Sequence, residues 1–103
     1  MEVCFDNKNL LDLYGKGRNR KYPLQPSVYK KFSMRIQQLE AAYTIYDLWK
    51  TPSLNFEKME NLNPPYSVRV DKGWRLEFDV EWTNKEQTTG VIFIKDLTNH
   101  YRD

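Results

Sequence analysis

The chain has 103 residues, 40% hydrophobic and 15% aromatic, which excludes disorder throughout and leaves room for one domain, residues 1–103, with no internal repeat. No run approaches the roughly 18 apolar residues of a membrane span, MEVCFDNKNL lacks the form of a signal peptide, and a single cysteine, Cys4, excludes an internal disulfide and a cysteine-rich metal site. A soluble cytoplasmic protein without membrane contact is expected. The net charge of +2 is unevenly spread: residues 1–35 hold eight Lys/Arg against three acids, a balance of +5, and the remainder holds eight against eleven, −3, which points to a polyanion partner.

In chain order, EVCF alternates as a half-buried strand does, with Cys4 expected as a small buried hydrophobe. Asp6 or Asn7 can cap a short helix carrying Leu10, Leu13 and Tyr14, and Gly15 is expected to stop it. GKGRNRKYPLQP, with two glycines, two prolines and four bases, reads as a loop. From Ser27, the positions Val28, Phe32, Ile36, Leu39 and Tyr43 recur at three and four residues and predict a helix of about four turns, with Lys30, Lys31 and Arg35 off the apolar stripe. TIYDLWKT predicts a short helical turn before Pro52, and LNFEKME a short strand with Phe56 inward.

The clearest signal follows. Tyr66, Val68 and Val70 alternate with Ser67 and Arg69; after DKG, Trp74, Leu76, Phe78, Val80 and Trp82 alternate with Arg75, Glu77, Asp79 and Glu81. This predicts a hairpin with one apolar and one polar face. The unbroken start of VIFIKDL suggests a central last strand. The order implies an α+β fold in which an N-terminal strand and two helices pack on one face of an antiparallel sheet.

If DKG closes the hairpin, Val70 faces Trp74 and Arg69 faces Arg75. Like charges directly opposed across two strands are destabilising. Nearby carboxylates can offset that cost, Glu77 opposite Ser67 among them, or an anion can: two guanidinium forks suit a phosphate. No phosphate-binding glycine loop, serine nucleophile turn or metal ligand set is present, so no metal or cofactor is expected. The only histidine, His100, stands beside Tyr101 just past the last strand. Such a histidine and tyrosine with two arginines can cleave RNA using the substrate's own 2′-hydroxyl. Lys16, Arg18, Arg20, Lys21, Lys30 and Lys31 can hold a nucleic-acid backbone, or simply be solvated.

YSVRVDKGWRLEFDV resembles the central hairpin of the HigB branch of the RelE/ParE toxin superfamily, and FDNKNLLDLY and KDLTNHY are similar to that branch's two ends. The resemblance implies a small RelE/ParE-like toxin of a type II toxin–antitoxin system, partnered by a helix-turn-helix (HigA-like) antitoxin and cleaving mRNA on the ribosome without metal. It implies catalytic roles for Arg69, Arg75, His100 and Tyr101, with either of the last two as general base, and RNA contacts for Lys58 and Asn99. Where HigB-type chains often end on Asp-Tyr-His, this one reads Asn99-His100-Tyr101. Two other readings remain open: a ParE-like toxin that inhibits DNA gyrase without nuclease action, and an inactive RNA-binding relative.

Overall fold

In the computed structural model, which describes residues 1–99, the last strand lies inside the sheet, as its VIFI run predicts. The strands are β1 (Glu2–Phe5), β2 (Glu57–Lys58), β3 (Tyr66–Asp71), β4 (Trp74–Trp82) and β5 (Gly90–Thr98), ordered β1-β5-β4-β3-β2. The helices are α1 (Lys8–Lys16), α2 (Pro26–Ala41) and α3 (Ile45–Trp49), followed by a 3-10 turn at Pro52–Leu54. The α+β plan is the expected one. The sheet, however, is mixed: β2 to β5 are antiparallel, and β1 pairs with β5 in parallel, from Glu2–Val91 to Phe5–Ile94. Because β4 occupies one side of β5, β1 can bond only along the other, and alternation in EVCF records burial without recording direction.

Asn7 caps α1 by accepting the Leu10 N–H at 3.0 Å. The helix runs through Gly15 and stops at Gly17, whose φ of 82° is the left-handed conformation glycine adopts readily, its N–H donating to Leu13 O at 2.8 Å. Pro26 opens α2, where its missing N–H costs nothing. Val28, Phe32, Ile36 and Leu39 are buried as predicted, but α2 ends at Ala41, so Tyr43 leaves the stripe for solvent. Cys4 is half-buried, because β1 is an edge strand, and its Sγ lies 3.6 Å from the Glu2 carboxylate.

Leu10, Leu13, Phe32, Ile36 and Leu39 share one core cluster with Val68, Leu76, Phe78, Ile92 and Ile94 of the sheet. Each such side chain contributes about 1.5–3 kcal/mol on burial. Phe56, Tyr66 and Phe78 stack at 5.7–6.0 Å, so Phe56 points inward as expected. None of the helices among the described residues is long and apolar enough to cross a membrane.

Candidate functional site

Arg69 and Arg75 face each other across β3 and β4, and Ser67 faces Glu77, as expected from the sequence. The turn is shorter than DKG suggests: Asp71 pairs with Trp74, leaving Lys72–Gly73 as the connection, and Val70 is the extra residue of a bulge. Val70 is buried, so the bulge keeps a core contact without disturbing the arginine pair.

The two arginines differ sharply. Arg75 is only 4% exposed, which corrects the expectation of two guanidiniums on an open face. Its side chain crosses β3 towards β2: Nε donates to Ser67 Oγ at 3.0 Å, and one terminal nitrogen reaches Asn55 O at 2.6 Å, Ser67 O at 3.3 Å and Glu57 Oε1 at 2.9 Å. Glu57 pairs with Ser67 across the strands, so it projects to the same face and meets the charge. Arg69 is exposed, and its guanidinium has no hydrogen bond or ion pair among the described residues. Its backbone is held: Arg35 Nε donates to Arg69 O at 2.7 Å, and another guanidinium nitrogen donates to Gln38 at 2.8 Å. Desolvation lowers the Arg35 pKa, and its guanidinium is committed to the Arg69 carbonyl and to Gln38.

Beyond Arg75 the same face of β4 turns acidic, through Glu77, Asp79 and Glu81. Asp79 and Glu81 line a shallow cavity of about 380 Å³ with Asp6, Phe93 and Lys95, where Lys95 pairs with Asp6.

Thr98 sits opposite Arg75 and donates to Glu77 at 3.5 Å. Just before it, Asp96 is tied to the loop after α1: the buried Tyr22 donates its hydroxyl hydrogen to Asp96 Oδ1 at 2.9 Å, and Asn7 Nδ2 donates to Tyr22 Oη at 3.1 Å and to Lys95 O at 2.9 Å. Burial, first of all, raises the Tyr22 pKa, which keeps this hydroxyl a donor. Asn99 is exposed and borders a cavity of about 390 Å³ with Gln25, Asp71 and Trp74. His100 and Tyr101 lie outside the described residues.

The basic residues separate into groups. Lys16, Arg18 and Arg20 line one cavity with Asn19 and Asp12; Lys16 pairs with Asp12 at 2.9 Å. Lys21 lies 5.9 Å from the Tyr22 ring centroid. Lys30 is exposed on α2, while Lys31 reaches Asp71 at the hairpin end at 3.0 Å. Lys58 pairs with Tyr66 in register, which puts it on the opposite face of β2 from Glu57, and lies 3.9 Å from Glu60. It is not brought together with Arg69 and Arg75. Glu57 and Tyr22 carry no motif; only the strand register of NFEK would have placed Glu57 beside Ser67.

The chain is similar to one family in particular: the model described as RelE-like toxin of type II toxin-antitoxin system HigB matches residues 3–91. No curated protein matches it.

Proposed function

The chain belongs to the HigB-like family of RelE-like toxins of type II toxin–antitoxin systems, and from that premise we propose that it is an endoribonuclease acting on translated mRNA at the ribosome. One observation carries the reading: Arg69 offers an exposed guanidinium that makes no hydrogen bond or close ion pair among the described residues, on a backbone fixed by Arg35 and opposite a second, buried arginine. A guanidinium so placed is ready to take two phosphate oxygens. Arg75, its charge met by Glu57, supports the site from beneath by tying β4 to β3 and to β2.

His100 follows Thr98, the partner of Arg75, by two positions in the chain, with Tyr101 next. One of the two removes the proton of the substrate's 2′-hydroxyl. The 2′-oxygen then bonds to phosphorus, the bond from phosphorus to the 5′-oxygen breaks, and the other group protonates that oxygen. The products are a 2′,3′-cyclic phosphate and a 5′-hydroxyl end. Arg69 stabilises the extra charge on the phosphoryl oxygens. Arg18, Arg20 and Lys30, together with Lys16, Lys21, Lys31 and Asn99, supply further RNA contacts. The exposed ion pairs of Lys16 and Lys31 are weak and exchange readily for phosphate. The cognate antitoxin is proposed to be HigA-like, with a helix-turn-helix.

Mapping 5′ ends of mRNA shortly after induction tests this. Wild type produces new 5′-hydroxyl ends inside translated frames, and Arg69→Ala and His100→Ala/Tyr101→Phe lower their yield by about 100-fold or more. Undiminished cleavage by Arg69→Ala removes the phosphate site from this face. Growth arrest without new ends transfers the chain to the gyrase-inhibitor reading.

A further inference from the structure

α3 buries Ile45 and Leu48 but leaves Tyr46 and Trp49 56% and 52% exposed, and Tyr43, just before it, is 85% exposed. A five-residue helix cannot hold itself together in water. Three contacts fix this one. The Asp47 carboxylate accepts the N–H groups of Tyr43 and Thr44 at 2.8 and 3.0 Å, Ile45 N–H donates to Thr88 O at 2.8 Å, and Trp49 packs edge-on against Phe56 at 4.5 Å. The backbone that carries the rings, and the Trp49 ring itself, are therefore presented at little ordering cost. Tyr43 and Asp47 line a groove of about 340 Å³ with Gln38, Ala41, Leu48 and Leu54, while Tyr46 and Trp49 stand outside its lining. Met34, Gln38 and Ala41 share one face of α2, which continues the groove, and Met34 is 44% exposed.

This surface is unlike the Arg69 face. Between Ile36 and Phe56 the only basic side chain is Lys50, against Glu40 and Asp47, and the Met1 ammonium donates to Glu40 O beside them, so the surface carries little net charge to attract a phosphate backbone. It also lies at the other end of the sheet: Thr88, bonded to the start of α3, is in the β4–β5 connection, whereas Lys72–Gly73 is at the opposite end of β4. Exposed Tyr and Trp side chains are those that most often dominate protein–protein interfaces. A type II system supplies a protein partner, the antitoxin.

We propose that the antitoxin docks on Tyr43, Tyr46 and Trp49, laying the apolar face of an amphipathic helix along the groove with Lys or Arg at its rim towards Glu40 and Asp47. The proposal rests on the family assignment and not on the cleavage chemistry, so either can fail without the other.

The test is the affinity of purified toxin for purified antitoxin, the antitoxin being the neighbouring-gene product that restores growth on co-expression. Tyr43→Ala/Tyr46→Arg, which leaves the Trp49–Phe56 contact intact, is expected to weaken binding about 100-fold or more. Leu11→Ala, at a 53% exposed site on α1, is expected to bind as wild type does. Tyr46→Arg alone provides a second variant with less disturbance of the fold. Unchanged affinity in both tyrosine variants overturns the proposal. So does light scattering that finds a wild-type dimer broken by Tyr46→Arg, which would make a second copy of this chain the occupant.

Discussion

Along one face of β4 the charge changes sign. At the hairpin end stand Arg75 and, across the strands, Arg69; further along come Glu77, Asp79 and Glu81, with Asp6 near them on the other side of the sheet's centre. The face therefore carries its exposed positive charge, on Arg69, at the hairpin end and its carboxylates towards the other. The net charge of +2 conceals this, because field depends on where charges are placed rather than on their sum. At the hairpin end a second division holds: Arg69 is open to a ligand, whereas Arg75 is committed to Ser67, Asn55 and Glu57.

The largest expected effect on stability separates those two arginines. Arg75→Ala strands a buried hydroxyl and two carbonyls and is expected to cost about 2–3 kcal/mol, lowering the melting temperature by on the order of 10–20 °C in a domain of this size. Arg69→Ala removes an exposed side chain that makes no hydrogen bond or close ion pair among the described residues, and thermal unfolding should shift by no more than about 0.5 kcal/mol. Equal losses in the two variants would break the distinction. Loss of activity in Arg75→Ala consequently has to be read against its folding, while loss in Arg69→Ala reports on the site.

A smaller effect sharpens the contrast between the two ends of β4. Asp79→Asn/Glu81→Gln removes two negative charges from the acidic half and is expected to strengthen binding of a short single-stranded RNA a few-fold at low salt, with the gain vanishing as salt rises. Fluorescence anisotropy at two salt concentrations measures it. No gain at low salt would mean that RNA never senses the acidic half of the face.

The hairpin was legible because its signal is local: alternation fixes which residues share a face, and a short connection fixes which oppose. A three-residue DKG turn places the arginines opposite each other; the observed turn has two residues and pairs Asp71, not Val70, with Trp74, and the arginines stay opposed only because Val70 is bulged out of register. That Arg75 folds back over Ser67 was not legible, since it depends on β2, a two-residue edge strand whose register is set by packing of Phe56 and the 3-10 turn. The parallel pairing of β1 escaped for a similar reason: its partner is about ninety residues away, and alternation is silent on direction. Gly15 and Gly17 both fit the end of α1 by pattern, and only the positive φ at Gly17 decides between them. Tyr43 kept helical spacing yet lay past the helix end, because α2 stops at Ala41 and the Asp47 cap starts a new turn.

The smallest effect concerns the two aspartates that fix the two ends. Asp47 sits below the ordinary carboxylate range because the Thr44 and Tyr43 N–H groups donate to it; Asp71 does so because of the Lys72 N–H and then Lys31. In both, the folded-state pKa lies below the unfolded one, so their stabilising contribution is complete above the unfolded value near 4 and is lost as pH falls through the lowered folded value. Acid should therefore loosen the aromatic platform at α3 and the hairpin end at pH values where a free aspartate is already protonated. The amide proton shifts of Tyr43 and Thr44, followed by NMR against pH, should titrate with a midpoint below that of free aspartate, and Asp47→Asn should abolish the transition. A midpoint at the free value would mean that the cap contributes nothing to holding Tyr46 and Trp49 in place. The aromatic platform would then need another source of rigidity, and the expected separation between a rigid protein-binding end and an anion-binding end would rest on charge alone.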